Sequence, residues 1–237
     1  MTDAARIAVW AAALALCACA ARQEGRTSAA SGVELADGET PTHILRQRLE
    51  GARTFVYECG DGPSFVARIE GETAWLFLPG RTVSLPHVAA ASGAQYEDEE
   101  ILFWSKGGEA MLEIGDEQYR SCRNNRRAAV WEHAKLNGVD FRGVGQEPGW
   151  HLEIRRADTV VLVSDYGSAR HTFPWVAPET DPAARRTTYR TQVGDEELRV
   201  LLQPGPCRDT MSGEAFETKV TVWLNSTKLE GCGRALH

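Results

Sequence analysis

Ser92-Gly93-Ala94-Gln95-Tyr96-Glu97-Asp98-Glu99-Glu100-Ile101-Leu102-Phe103-Trp104-Ser105-Lys106-Gly107 reads as two short strands joined by an acidic turn. Ala94–Glu97 forms one strand, the apolar and aromatic run Ile101–Ser105 the other, and glycines punctuate both ends. The arrangement leaves a hydroxyl, Ser92, and an ammonium, Lys106, near the strand ends. Residue type alone makes Ser92-Gly93 a turn and Lys106 a solvated charge, so the surrounding chain must decide what this hairpin belongs to.

Outward from it, between Thr54 and Cys122, six further strand-like runs alternate with turn signals. They are Thr54–Glu58, Ser64–Ile69, Thr73–Leu78, Thr82–Leu85, Glu109–Ile114 and Gln118–Cys122. The breaks carry Gly60-Asp61-Gly62-Pro63, Glu70-Gly71-Glu72, Pro79-Gly80, Gly107-Gly108 and Gly115-Asp116. Many short strands at regular spacing imply an all-β unit, an antiparallel sandwich or a small barrel. A bridge between Cys59 and Cys122 would tie the first strand to the last, as barrel closure requires.

The six cysteines fall by position into Cys17/Cys19, Cys59/Cys122 and Cys207/Cys232, none at the C-x-x-C spacing of a zinc or thioredoxin-type site. Two disulfides, Cys59–Cys122 and Cys207–Cys232, are expected in an oxidising compartment. Chain entropy sets upper values of about 4 and about 3.5 kcal/mol for these loops. The N-terminus indicates such a compartment. Arg6 precedes an apolar run, Ile7 to Leu16, too short to span a bilayer. The run ends in Leu16-Cys17-Ala18-Cys19, which resembles a bacterial lipobox with Cys19 as the lipidated residue. Residues 1–19 are thus expected to be a lipoprotein signal peptide, with palmitate among the acyl groups on Cys19. Ala20 after that cysteine implies sorting to the outer membrane, facing the periplasm. Residues 20–43, mostly Ala, Ser, Gly, Glu and Thr, read as a flexible tether, and Ile44 to Leu49 as a short helical lead-in.

Three groups of residues then carry a family resemblance: Tyr57-x-Cys59, Ser92-Gly93-x-x-Tyr96, and Trp104-Ser105-Lys106-Gly107-x-x-Ala110 with the closing Cys122. Their order and spacing resemble the membrane-bound inhibitors of c-type lysozyme (the MliC/PliC family) over about Thr54 to Asn124. The resemblance implies an eight-stranded antiparallel barrel, assigned here to residues 44–124, and a cationic protein partner, a c-type lysozyme. It further implies that Ser92 and Lys106 enter the lysozyme cleft, with Gly93, Tyr96 and Gly107 in the binding motifs. Tyr96 is expected to be partly structural, and Trp104 to belong to the barrel.

Residues 125–237 form a second β-rich unit. Arg126–Leu136 reads as a short helix, with Asn124 or Asn125 as N-cap and Gly138 as its stop. It should pack an apolar face on a domain, with His133 solvated or packed. Strands are expected at Trp150–Arg155, Thr159–Ser164, Ala169–Phe173, Thr187–Val193, Leu198–Gln203 and Lys219–Leu224, with hairpin turns at Gly194-Asp195 and Asn225-Ser226. Gly143-Val144-Gly145 lacks the third glycine of a dinucleotide fingerprint and reads as a loop. Gly145-x-Glu147-Pro148-Gly149-Trp150, Cys207-x-Asp209-x-Met211-Ser212-Gly213 and Gly231-Cys232-Gly233 resemble a domain of bacterial envelope lipoproteins, which gives a location and no activity.

Enzyme readings find no support. There is no G-x-S-x-G elbow and no H-E-x-x-H, and the six histidines never cluster at metal-ligand spacing. Glu147 and Asp209 are read as a loop cap and a turn, not a carboxylate pair. No metal or cofactor is expected. With 26 basic and 33 acidic side chains the formal charge is −7, against a nucleic-acid partner and compatible with a cationic one. The alternative to a lysozyme inhibitor is a non-inhibitory, cell-wall-binding structural lipoprotein.

Overall fold

The computed structural model describes residues 51–237. The expected signal peptide, Cys19 and tether lie outside the described residues. No helix among the described residues is long and apolar enough to cross a membrane.

Eight antiparallel strands come first: β1 Arg53–Cys59, β2 Ser64–Glu70, β3 Thr73–Leu78, β4 Arg81–Val88, β5 Ala94–Glu97, β6 Ile101–Lys106, β7 Glu109–Ile114 and β8 Glu117–Asn124. Each pairs with the next and β1 pairs with β8, so the sheet is a closed barrel. This resolves the choice between sandwich and barrel. Closure leaves no free strand edge in the ring. Cys59 faces Cys122 across the seam, and the two are disulfide-bonded.

Alternation along the strands fills the interior. Phe65, Ala67 and Ile69 of β2, Leu76 of β3, Ile101 and Phe103 of β6 and Leu112 of β7 point inward with Tyr57 and Tyr96. The rings of Tyr57, Phe65 and Phe103 meet at 5.5–5.9 Å inside the barrel, Phe103 edge-on to the other two and Tyr57 tilted against Phe65. Burial pushes the Tyr57 phenol up to about 12.

The helix α1 (Arg126–Leu136) follows β8 directly. Asn125 caps it, its side chain accepting from the Ala128 N–H at 3.0 Å, and Gly138 ends it at φ +73°. One side of α1 meets the barrel. There Arg68 Nη2 donates to Asn137 Oδ1 (2.8 Å), Asn137 Nδ2 meets His133 Nε2 (2.8 Å), and His133 Nδ1 meets Thr54 Oγ1 (3.1 Å). The guanidinium fixes the amide orientation, so the amide donates to Nε2 and Nδ1–H donates to Thr54. His133 is therefore packed and neutral; burial and then the Arg68 charge hold its pKa down. The other side of α1 carries Trp131, which packs on Phe216 (ring centroids 5.4 Å) with Arg234 over its face at 4.2 Å and Arg142 at 5.7 Å.

The second sheet has nine strands: β9 Phe141–Gly145, β10 Trp150–Ile154, β11 Thr159–Ser164, β12 Ala169–Pro174, β13 Glu179–Asp181, β14 Arg186–Val193, β15 Glu196–Arg208, β16 Ala215–Leu224 and β17 Thr227–Ala235. Their spatial order is β12-β11-β10-β9-β17-β16-β15-β14-β13. The sheet curls on itself: Thr191 Oγ1 on β14 donates to the Pro174 carbonyl on β12 at 2.9 Å. Inside the curl lie Trp150, Leu152, Phe173, Leu198, Val200 and Val222. The hairpins turn at Gly194-Asp195 and Asn225-Ser226, and Cys207 of β15 is bonded to Cys232 of β17.

Three strands have no counterpart in the sequence expectation. Gly143-Val144-Gly145, expected as a loop, lies on β9. The unread β17 pairs with it, Gly233 opposite Gly143. Glycines usually weaken a strand, which is why this pair was not legible. Here they give clearance: a Cβ on Gly145 would come within 2.2 Å of Trp150 Nε1, and one on Gly231 within 2.1 Å of the Val144 carbonyl. The third element, β13, has only three residues.

His151 on β10 is half-buried, and its pKa falls to about 4, through burial first and then the Arg142 charge, with Arg170 adding and Glu153 opposing. An unfolded chain takes up this proton near pH 6.5, the folded chain only near pH 4, so stability falls as pH drops through that window. His151→Gln is expected to recover on the order of 1 kcal/mol of the acid-side loss, allowing for partial solvent screening. Denaturant midpoints of parent and variant should diverge between these values and coincide above them. Parallel curves throughout would refute the assignment.

Candidate functional site

The β5–β6 hairpin sets the site by its register. Ala94 pairs with Ser105 and Gln95 with Trp104, so the segment entering β5 lies beside the end of β6. Ser92 and Lys106 are both exposed there, and Lys106 Nζ donates to Ser92 Oγ at 3.4 Å. Among the described residues no carboxylate forms an ion pair with Lys106; its cross-strand neighbour Glu109 is instead 3.7 Å from Arg123. The result is an ammonium and a hydroxyl side by side on the barrel rim, with donor capacity to spare.

Two features hold this pair in place. Trp104 Nε1 donates to the Ser92 carbonyl at 2.8 Å. Gly93 sits at φ +74°, where a Cβ would lie 2.5 Å from the Ser105 carbonyl and 3.2 Å from Lys106 Cβ. Only glycine allows the loop so close to β6 in this backbone conformation. Gly93→Ala is expected to cost about 1–3 kcal/mol, read as a lower denaturant midpoint; an unchanged midpoint would show that the loop has another low-energy path.

Tyr96 is 3% exposed, stacked against Phe103 at 6.0 Å and edge-on to His87 at 5.3 Å. It supports the hairpin from inside the barrel and presents no surface. Gly107, at φ +63° and with open space where a Cβ would sit, makes the tight turn between β6 and β7. Trp104 alternates with the inward Ile101 and Phe103, so it lies on the outer wall of the barrel, where its indole positions Ser92. The sequence expectation for Trp104, a place in the barrel, does not include that task. The signal for it was available in the strand period, which sends Trp104 outward once Phe103 points in.

The acidic run closes the opposite end of the hairpin. Asp98 Oδ1 accepts from the N–H groups of Glu100 and Ile101, while Glu100 pairs with Arg81 at 3.0 Å and Glu97 accepts from Gln95 at 2.9 Å. Four to five strand residues separate this turn from Lys106, roughly 15 Å, beyond the Debye length of about 8–10 Å in physiological salt. Beyond the barrel, Asp209 is buried and accepts from the Ser212 N–H at 2.6 Å, as a turn residue does, and Gln146 lies 3.3 Å from it. Glu147 precedes Pro148 in a loop at φ +61°. Among the described residues no three His, Cys, Asp or Glu side chains gather as a metal site would need.

Comparison with known proteins bears on the barrel. Residues 57–121 match the family model described as membrane-bound lysozyme-inhibitor of c-type lysozyme. A protein of Yersinia enterocolitica serotype O:8 / biotype 1B, named membrane-bound lysozyme inhibitor of C-type lysozyme, is 41% identical over 61 residues. That alignment covers 25% of this chain and 52% of the relative, so the chain spans about half the length of the curated relative it matches. No solved structure matches. It is the closed barrel, with the Ser92–Lys106 rim inside the matched segment, that is similar to the membrane-bound lysozyme inhibitors of c-type lysozyme.

Proposed function

We propose that this chain is an inhibitor of c-type lysozyme, not an enzyme, and that Ser92 and Lys106 are the groups that enter the lysozyme cleft. The observation that carries the reading is the exposed ammonium and hydroxyl, 3.4 Å apart, with no carboxylate paired to the ammonium among the described residues. A c-type lysozyme works with two carboxyl groups, one kept protonated as general acid and one ionised beside it. Both need donors if a protein is to fill the cleft. The Ser92 hydroxyl and the Lys106 ammonium supply them, the latter as charge-assisted hydrogen bonds. An ammonium beside the general acid also lowers that group's pKa, leaving it ionised and without a proton to give. Inhibition is then steric and electrostatic together.

The family name of the matched segment supports a membrane-bound, envelope location. Anchoring through lipidated Cys19, reach provided by residues 20–43, and placement on the outer membrane facing the periplasm belong to the same proposal. We take 44–124 as the inhibitory unit and 125–237 as a second unit joined to it through α1.

The test is lysis of a cell-wall suspension by a c-type lysozyme, titrated with the purified chain and with Ser92→Ala. Inhibition by the parent and a weaker effect in the variant would establish activity and site together. A folded, disulfide-bonded parent that retains cell wall but leaves lysis untouched would overturn the reading in favour of a structural envelope protein.

A further inference from the structure

We propose that the outer face of β13–β16 binds a carboxylate carried on a small hydroxyl-rich ligand, a sugar acid, at a site separate from the barrel rim. A cavity of about 340 Å³ lies on this face, lined by Glu179, Asp181, Arg186, Arg190, Arg199 and Trp223 together with two threonines and Leu201. That volume is at the small end of ligand pockets.

The charges there are arranged for an anion that the chain does not itself supply. Arg190 on β14 stands directly opposite Arg199 on β15, and like charges facing across a sheet repel. Two carboxylates offset part of this. Asp181 is fully engaged, 3.0 Å from Arg186 and accepting from the Ala184 N–H at 2.9 Å. Glu179 is only loosely placed, 3.9 Å from Arg190. Arg199 has no ion-pair partner among the described residues; its guanidinium lies 3.7 Å over the Trp223 ring. Stacking fixes the plane of that guanidinium and leaves its N–H edge for a planar oxyanion.

The sum of these charges selects the ligand. Three guanidinium groups against two carboxylates leave one positive charge in the lining. A monoanionic carboxylate matches it, whereas a phosphate dianion would be repelled by Glu179 and Asp181. Thr180 and Thr188 add hydroxyls suited to a polyol, and Leu201 and the indole edge add apolar surface.

Calorimetric titration of the full chain with cellobiouronic acid, cellobiose and inorganic phosphate tests this. The uronate is expected to bind, with cellobiose and phosphate each at least about tenfold weaker, since hydrogen bonds to a charged group are being removed or misfitted. Arg199→Gln should weaken uronate binding about tenfold or more, and Arg199→Lys, which keeps the charge without the planar fork, should fall between. Both variants should inhibit lysozyme as the parent does, which separates this site from the barrel. Undetectable uronate binding, equal affinity for cellobiose, tighter binding of phosphate, or an unaffected Arg199→Gln variant would each overturn the proposal.

Discussion

Lys106→Ala is expected to weaken inhibition of a c-type lysozyme by roughly 2–5 kcal/mol, about thirtyfold to a few thousandfold in the inhibition constant. The range is that of removing one partner from a desolvated, hydrogen-bonded charge pair. Much of it reflects lysozyme carboxylates left facing a cavity without a cation. Thermal stability should barely move, because Lys106 is exposed and, among the described residues, its ammonium bonds only to the Ser92 hydroxyl, at 3.4 Å. The loss should sit in dissociation more than association, and it should exceed that of Ser92→Ala, which removes a neutral donor. A titration giving the parent's inhibition constant for Lys106→Ala would place the binding surface elsewhere on the barrel.

Trp131→Ala is expected to cost about 3–5 kcal/mol of stability. Trp131 is 7% exposed and fills the space between α1 and the outer face of the second sheet, against Phe216 and the cysteine pair at Cys232. Its removal leaves a void and takes the aromatic face from Arg234 and Arg142. Arg142 already has a buried Nε without a partner, so it has little capacity to adapt. Trp131→Phe, which keeps a ring at the same place, should lose a minor share of this. Urea unfolding followed by circular dichroism checks both variants, and a change below about 1 kcal/mol for the alanine would mean the sheet closes over the gap.

How far the sequence leads depends on which signal each element carries. The barrel strands are legible because alternation agrees with the turn signals, glycine-bearing everywhere except the acidic turn of β5–β6, and that hairpin falls at Ala94–Glu97 and Ile101–Ser105 as the pattern predicts. The α1 helix was legible from Asn125 and Gly138, one at each end. The β9–β17 seam was not, because its glycines answer to Trp150, a neighbour that local pattern does not reveal. The candidate site divides in the same way. Ser92 and Lys106 came from a family resemblance, since a Ser-Gly pair and a lysine carry no message alone. Only register puts them within 3.4 Å of each other, and only the strand period turns Trp104 outward to hold the loop.

The β5–β6 hairpin places its acidic turn on one rim of the barrel and Ser92 with Lys106 on the other. Sequence drift at residues 97–100 can therefore alter solubility or encounter with charged surfaces while leaving the Ser92–Lys106 rim as it is, and the reverse also holds. The two ends of a single ribbon thus offer separate handles: an engineer could recharge one without disturbing the other.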